Sequence, residues 1–157
     1  MLGVVKLLLL LALALLGGGG CQTVPPLPAA NFSQAGWTVR QGQAVWRIKK
    51  GRPEIAGEFL LATRPDGRAF AQFSKTPFPL IIAQSTTNTW EIEQPAQNKR
   101  YSGRGRPPAR AIWLYLPEVL QQQQPPPKGW SLQHLPNDGW RLENPATGES
   151  IEGYFAQ

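Results

Sequence analysis

The chain has 157 residues, with 16 lysines and arginines, 10 acidic residues, one histidine and one cysteine. This length suffices for one ordinary domain and is too short for two comfortable cores. The single cysteine excludes an internal disulfide and the single histidine excludes a multi-histidine metal site, so the fold has to be stabilised by packing.

The first predicted element is an apolar run near the N-terminus. Ten uninterrupted apolar residues, at positions 7–16, follow the cation Lys6, which is the layout of a secretory signal peptide. A transmembrane helix needs about 20 apolar residues, whereas this run ends at four glycines, at positions 17–20. Residues 1–20 are therefore predicted to be a removable signal.

Cys21 directly follows these glycines, and the arrangement resembles the signal of a bacterial lipoprotein. The resemblance implies that Cys21 becomes the first mature residue and carries the acyl chains that hold the protein on a bilayer. Gln22 in place of an aspartate favours the outer membrane, with the domain facing the periplasm. The alternative is an ordinary secretory peptide cleaved near Gly20, which would leave a free thiol.

The mature chain begins with a proline-rich stretch. Residues 21–35 contain three prolines and are predicted to form an extended tether, and residues 36–157 are predicted to form a single domain. Without Lys6 the chain carries 15 basic and 10 acidic residues, a net charge of +5. This surplus either faces anionic headgroups or a glycan polymer, or only provides solubility. No nucleic-acid motif occurs, so no nucleic-acid partner is expected.

From Gly36 onward, apolar and polar residues alternate and turn residues recur about every ten positions, which indicates antiparallel strands joined by hairpins. Asp66-Gly67 and Asp138-Gly139 are the clearest turn signals. The predicted strands are residues 43–49, 54–64, 68–75, 80–84, 89–94, 130–135, 140–144 and 149–155.

The predicted sheet has one apolar face and one polar face. Large apolar residues such as Trp90 and Trp140 share one face, whereas Glu91 and Glu93 lie opposite. Such a face cannot remain open to water, so the sheet either curls or is covered. The predicted cover is residues 107–124, which include an apolar run and a helical turn that begins at a proline.

A basic cluster precedes this cover and is predicted to be a loop. It either contacts phosphate headgroups or is a solvated connection between strands. Its cations are Lys99, Arg100, Arg104, Arg106 and Arg110.

Few residues suit catalysis. His134 is the only histidine, and Asp66 and Asp138 both precede a glycine in a predicted turn, where they cap the backbone. Ser102 lacks the glycine two residues earlier that a nucleophile elbow requires. We therefore expect no enzyme activity and no cofactor. A hydrolase that uses Ser102 or His134 is a third class of function, beside the two classes described below.

The apolar run at residues 77–84 leads through a turn into Thr89-Trp90-Glu91-Ile92. Further segments that form a recognisable pattern with these are residues 57–59, 64–67, 116–120 and 139–142. Together these segments resemble the carriers and receptors of the bacterial lipoprotein-localisation system, the LolA and LolB family. The resemblance implies a mainly β fold, an unclosed antiparallel half-barrel with one or two short helices or loops over its concave face.

The resemblance also implies an apolar cavity for acyl chains, with lipids or lipoproteins as cargo, a periplasmic carrier protein as a possible partner, and a monomer. Each residue of the predicted lining could instead belong to a dry core. The lining candidates are Trp46, Phe59, Leu61, Trp90, Ile92, Trp130, Trp140 and Leu142. The alternative function is an anchored scaffold that binds a protein or glycan through a sheet edge or through the basic residues 99–110.

We expect Cys21→Ser to move the protein from the membrane fraction to the soluble fraction, because no other residue supplies a thiol for acylation. Cell fractionation with immunoblotting measures the change. Thr23→Ser keeps the cysteine and is the control, which should remain with membranes. A Cys21→Ser protein that still sediments with membranes contradicts lipid anchoring.

Overall fold

A computed structural model describes residues 24–121 and 123–156. The predicted signal and Cys21 lie outside these residues. The described chain forms nine strands and one short helix, and no helix in it is long and apolar enough to cross a bilayer. The strands are β1 (Thr38–Arg47), β2 (Glu54–Thr63), β3 (Ala69–Lys75), β4 (Phe78–Ser85), β5 (Thr89–Gln94), β6 (Lys99–Arg104), β7 (Ser131–His134), β8 (Gly139–Asn144) and β9 (Glu149–Phe155).

The nine strands form one antiparallel sheet in the order β6-β5-β4-β3-β2-β1-β9-β8-β7. Neighbouring strands are consecutive in the chain except for β1 and β9, which pair with each other, and the consecutive strands β6 and β7 are the two edges of the sheet in the described part of the chain. The sheet is not closed into a barrel. The prediction of a mainly β, unclosed antiparallel fold with short helices is confirmed.

The basic residues were predicted to form a loop, and this is wrong for the first three of them. Lys99, Arg100 and Arg104 belong to β6, which pairs along its length with β5. The chain reverses between these strands through a 3₁₀ turn, Pro95–Gln97, followed by Asn98 with a φ of 50°. β6 is a polar edge strand, so apolar and polar residues do not alternate along it. Its sequence therefore did not indicate a strand.

The inner, concave face of the sheet carries the apolar side chains. Trp46 on β1 lies opposite Ile55 on β2 and Ile151 on β9. Gly42 on β1 allows a close approach, because a Cβ atom there would lie 2.0 Å from the carbonyl oxygen of Tyr154 and 2.6 Å from the ring of Phe59. The strands can therefore pack at this point only with a glycine.

One segment covers the concave face. We call residues 107–121 the covering segment, and it contains a 3₁₀ turn, Ile112–Leu114, and the helix α1, Leu116–Leu120. Trp113 stacks on Phe73 of β3 at 5.2 Å between ring centroids and meets Trp46 edge-on at 5.4 Å. Residues 111–116 are all buried, as expected of a cover.

A second segment covers part of the outer face. Residues 24–34, which we call the N-terminal segment, belong to the predicted tether and lie against β3, β4 and β5. Phe32 meets Phe70 of β3 at 5.0 Å between ring centroids. The backbone N–H of Leu27 donates to Glu91 Oε2 of β5 at 3.2 Å. This part of the predicted tether is therefore packed on the sheet.

We expect Gly42→Ala to lower the free energy of unfolding by about 2 kcal/mol or more, because its methyl group would overlap the backbone of Tyr154. Denaturant unfolding followed by tryptophan fluorescence measures the change. Gln41→Ala on the exposed face of the same strand is the control, with an expected change within about 0.5 kcal/mol. Equal stability of the two variants would contradict the close approach.

Candidate functional site

The concave face brings all eight predicted lining residues together. Seven of them are buried in a single hydrophobic cluster, and Trp90 packs against that cluster while remaining partly exposed. The seven buried residues are Trp46, Phe59, Leu61, Ile92, Trp130, Trp140 and Leu142. They come from four strands, β1, β2, β5 and β8, and from the residue just before β7, and the sheet presents all of them on one face.

The aromatic rings of this face contact one another edge to face. Phe59 meets Trp140 at 5.6 Å and Phe155 at 5.4 Å between ring centroids. Trp46 meets Phe73 at 6.0 Å with the ring planes at 85°. This is a favoured geometry for aromatic pairs, and it produces a continuous apolar layer across β3, β2, β1 and the β8–β9 hairpin.

The covering segment fills this face, so the cavity implied by the resemblance is occupied by protein side chains. A hollow with a volume of about 740 Å³ lies elsewhere on the described part of the chain. Its lining includes the exposed residues Gln43, Glu58 and Tyr154, and none of the eight predicted lining residues borders it.

Side chains, and not the sheet's hydrogen-bond ladder, attach the covering segment. Within the described residues, its backbone hydrogen bonds stay local, as in Leu114 N–H to the Ala111 carbonyl and Val119 N–H to the Tyr115 carbonyl. Thr63 Oγ1 on β2 donates to Gln121 Oε1 at 2.7 Å. Trp130 Nε1 donates to the Ala109 carbonyl at 3.1 Å. Apolar contact is therefore the main attachment of this segment.

A few polar groups reach the rim of the apolar layer. The Trp46 indole donates to Glu149 Oε1 at 3.1 Å. Burial raises the pKa of the Glu149 carboxyl, and the indole hydrogen bond partly offsets this. The indole N–H groups of Trp113 and Trp140 are buried and have no partner within the described residues. Each is a donor that an additional oxygen atom could satisfy.

The basic residues line one edge of the sheet and the loop that follows it. Lys99, Arg100 and Arg104 lie on β6, whereas Arg106 and Arg110 lie in the loop, and all five are exposed. Arg100 forms an ion pair with Glu91 of β5.

Glu91 was predicted to face water but is only 2% exposed, because the N-terminal segment covers it. Sequence reasoning missed this residue as a functional candidate. Two apolar residues of the N-terminal segment, Leu27 and Phe32, were the sequence signal that this segment packs on the domain, because a solvent-exposed tether has no need of apolar side chains.

The residues considered for catalysis do not form a constellation. Ser102 lies on β6 and His134 on β7, the opposite edges of the sheet. Asp66 caps a turn by accepting from the backbone and the guanidinium of Arg68. No group of three or more potential metal ligands occurs in residues 24–121 and 123–156.

No protein-family model matches the chain, and no curated protein matches it.

The raised pKa of Glu149 predicts a pH dependence of stability. The folded protein holds the Glu149 proton more tightly than the unfolded chain, so this residue makes the free energy of unfolding fall as pH rises through the raised pKa. Glu149→Gln should remove this contribution, so that the variant gains stability relative to wild type with rising pH. Denaturant unfolding across acidic and neutral pH measures it.

Glu54→Gln is the control, because it removes an exposed carboxylate and retains Glu149. Relative to wild type, the free energy of unfolding of this variant should not increase as pH rises. A Glu149→Gln protein whose stability difference from wild type is the same at every pH would contradict the assignment.

Proposed function

We propose that this protein is an outer-membrane lipoprotein that holds an acyl chain of a lipid or of another lipoprotein on its concave face. The supporting observation is the covering segment, which fills an aromatic layer without any described backbone hydrogen bond to a strand. An acyl chain could take the place of its apolar side chains without breaking the sheet.

The energetics of such an exchange are balanced. Burial of an acyl chain contributes about 0.8 kcal/mol per methylene, so ten methylenes contribute on the order of 8 kcal/mol before ordering costs. The same apolar layer gains a similar energy per unit area from Trp113 and Leu116 when the covering segment is in place. Binding and release can then occur without covalent chemistry or a nucleotide.

The polar groups of the layer suit the head of an acylated molecule. The unpartnered indole N–H group of Trp140 on β8 is a donor, and an acyl ester or amide carries a carbonyl acceptor. The eight lining residues would contact the hydrocarbon. The resemblance to the LolA and LolB family fits this division of roles, with a periplasmic carrier protein as a possible partner.

A scaffold function is the second candidate, supported by the two edges of the sheet. β6 and β7 each have one neighbouring strand within the described residues, and an unpaired edge can accept a strand from a partner. Capture of a protein or glycan through β6, without lipid uptake, would favour this alternative.

Immobilising the covering segment should prevent lipid uptake. The chain from Gln22 onward would carry Thr63→Cys and Gln121→Cys, two positions whose side chains are in hydrogen-bond contact. A short bis-thiosulfonate linker joins the two thiols and a reductant cleaves it. We expect a fluorescent long-chain fatty acid to bind the cleaved form and to bind the linked form at least ten-fold more weakly.

The two single-cysteine variants, treated with the same reagent, are the controls and should bind the fatty acid in both states. Native mass spectrometry of the purified protein provides an independent readout of bound lipid. Failure of the wild-type chain to bind lipid in either assay would defeat the proposal. Equal binding by the linked and cleaved forms would show that the ligand does not enter beneath this segment.

A further inference from the structure

We infer that the β6 edge and the loop after it form a docking surface for anionic phospholipid headgroups. The surface places this edge of the sheet against the membrane that carries the protein. The orientation rests on the proposed anchoring at Cys21, whereas headgroup binding itself requires neither the anchor nor the acyl-binding face.

The charge of this surface is of one sign. Residues 98–110 contain five cations and no carboxylate. Lys99, Arg104, Arg106 and Arg110 form no ion pair within the described residues. Tyr101, between them, is 49% exposed, and tyrosine is enriched where proteins meet the headgroup region. Phosphate groups would supply the missing negative charge.

The path of the N-terminal segment leads to this surface. Followed backward from Phe32 to Leu27, the segment passes from β3 to β5. β6 is the next strand in that direction and the edge of the sheet. Cys21 is six residues before Leu27, and six extended residues span at most about 20 Å. This length suffices for the proposed anchor at Cys21 to reach the β6 edge.

A buried polar contact fixes this path. Glu91 accepts a hydrogen bond from the Leu27 backbone and forms an ion pair with Arg100 of β6. The same carboxylate therefore joins the N-terminal segment to the basic edge. Because Glu91 is almost fully buried, its negative charge needs both partners. Leu27 and the basic edge are thus joined through one carboxylate on the outer side of the sheet.

Vesicle binding tests the docking surface. The chain from Gln22 onward, which carries no lipid, would be sedimented with equimolar phosphatidylglycerol and phosphatidylcholine vesicles or with phosphatidylcholine alone. The test variant carries Arg104→Gln, Arg106→Gln and Arg110→Gln. The control variant carries Lys49→Gln, Lys50→Gln and Arg52→Gln, three exposed cations of the β1–β2 turn, and has the same net charge.

Each cation near an anionic surface is worth about a factor of five in binding, so three of them should change the partition coefficient on the order of 100-fold. We expect the wild type and the control variant to bind anionic vesicles in low salt and the test variant to lose this binding. Equal loss in both triple variants, or no binding by the wild type, would overturn the proposal. Equal binding to neutral vesicles would exclude headgroup charge as the cause.

A second measurement tests the orientation with one label on each edge strand. Ser102→Cys places a polarity-sensitive dye on β6, and Ser131→Cys places the same dye on β7, in a chain that has no other thiol once Cys21 is absent. On anionic vesicles the β6 dye should shift to the blue and resist an aqueous quencher, whereas the β7 dye should not. Equal protection of both dyes, or protection of β7 alone, would overturn the assignment. Neither outcome depends on acyl-chain uptake.

Discussion

The burial of Trp113 between Trp46 and Phe73 is the contact on which the rest of the structure depends. An open antiparallel sheet with one apolar face is stable in water only when that face is covered. Here the cover comes from the same chain, and its tryptophan lies on two rings of the face, at 5.2 Å and 5.4 Å between centroids. The large side chains of β1, β2 and β8 belong to the same buried cluster as this tryptophan, and Gly42 leaves room for Phe59 and the backbone of Tyr154 beside β1.

The covering segment is attached mainly by apolar contact, and this kind of attachment is compatible with a binding function even though the face is packed. A strand that covered the same face would be fixed by directional backbone hydrogen bonds, which no ligand could replace. The covering segment uses apolar contact, which does not depend on direction and which hydrocarbon can supply equally well. Under the proposed function, the packed face and the acyl-binding face would be two states of one surface, related by the displacement of residues 107–121.

The sequence predicted the hairpins well because their signals are local. Asp138-Gly139 between two alternating strands specifies a turn through backbone geometry alone, and Asn137 and Asp138 do adopt positive φ values. β6 and the burial of Glu91 depend on partners distant in sequence. The pairing of β6 needs β5, and Glu91 is covered by Leu27, 64 residues away. Alternation reveals which face is apolar, but it does not reveal which polar face another segment covers.

The two faces of the sheet have different covers, and this difference would separate the proposed anchoring from the proposed binding. The N-terminal segment lies on the outer face, where Phe32 packs on Phe70 and Glu91 holds Leu27. The covering segment lies on the concave face. Because residues 24–34 lie on the outer face, the proposed anchoring at Cys21 would leave the concave face and its cover unobstructed. An apolar ligand could then displace residues 107–121 while the Glu91 contact keeps the domain oriented.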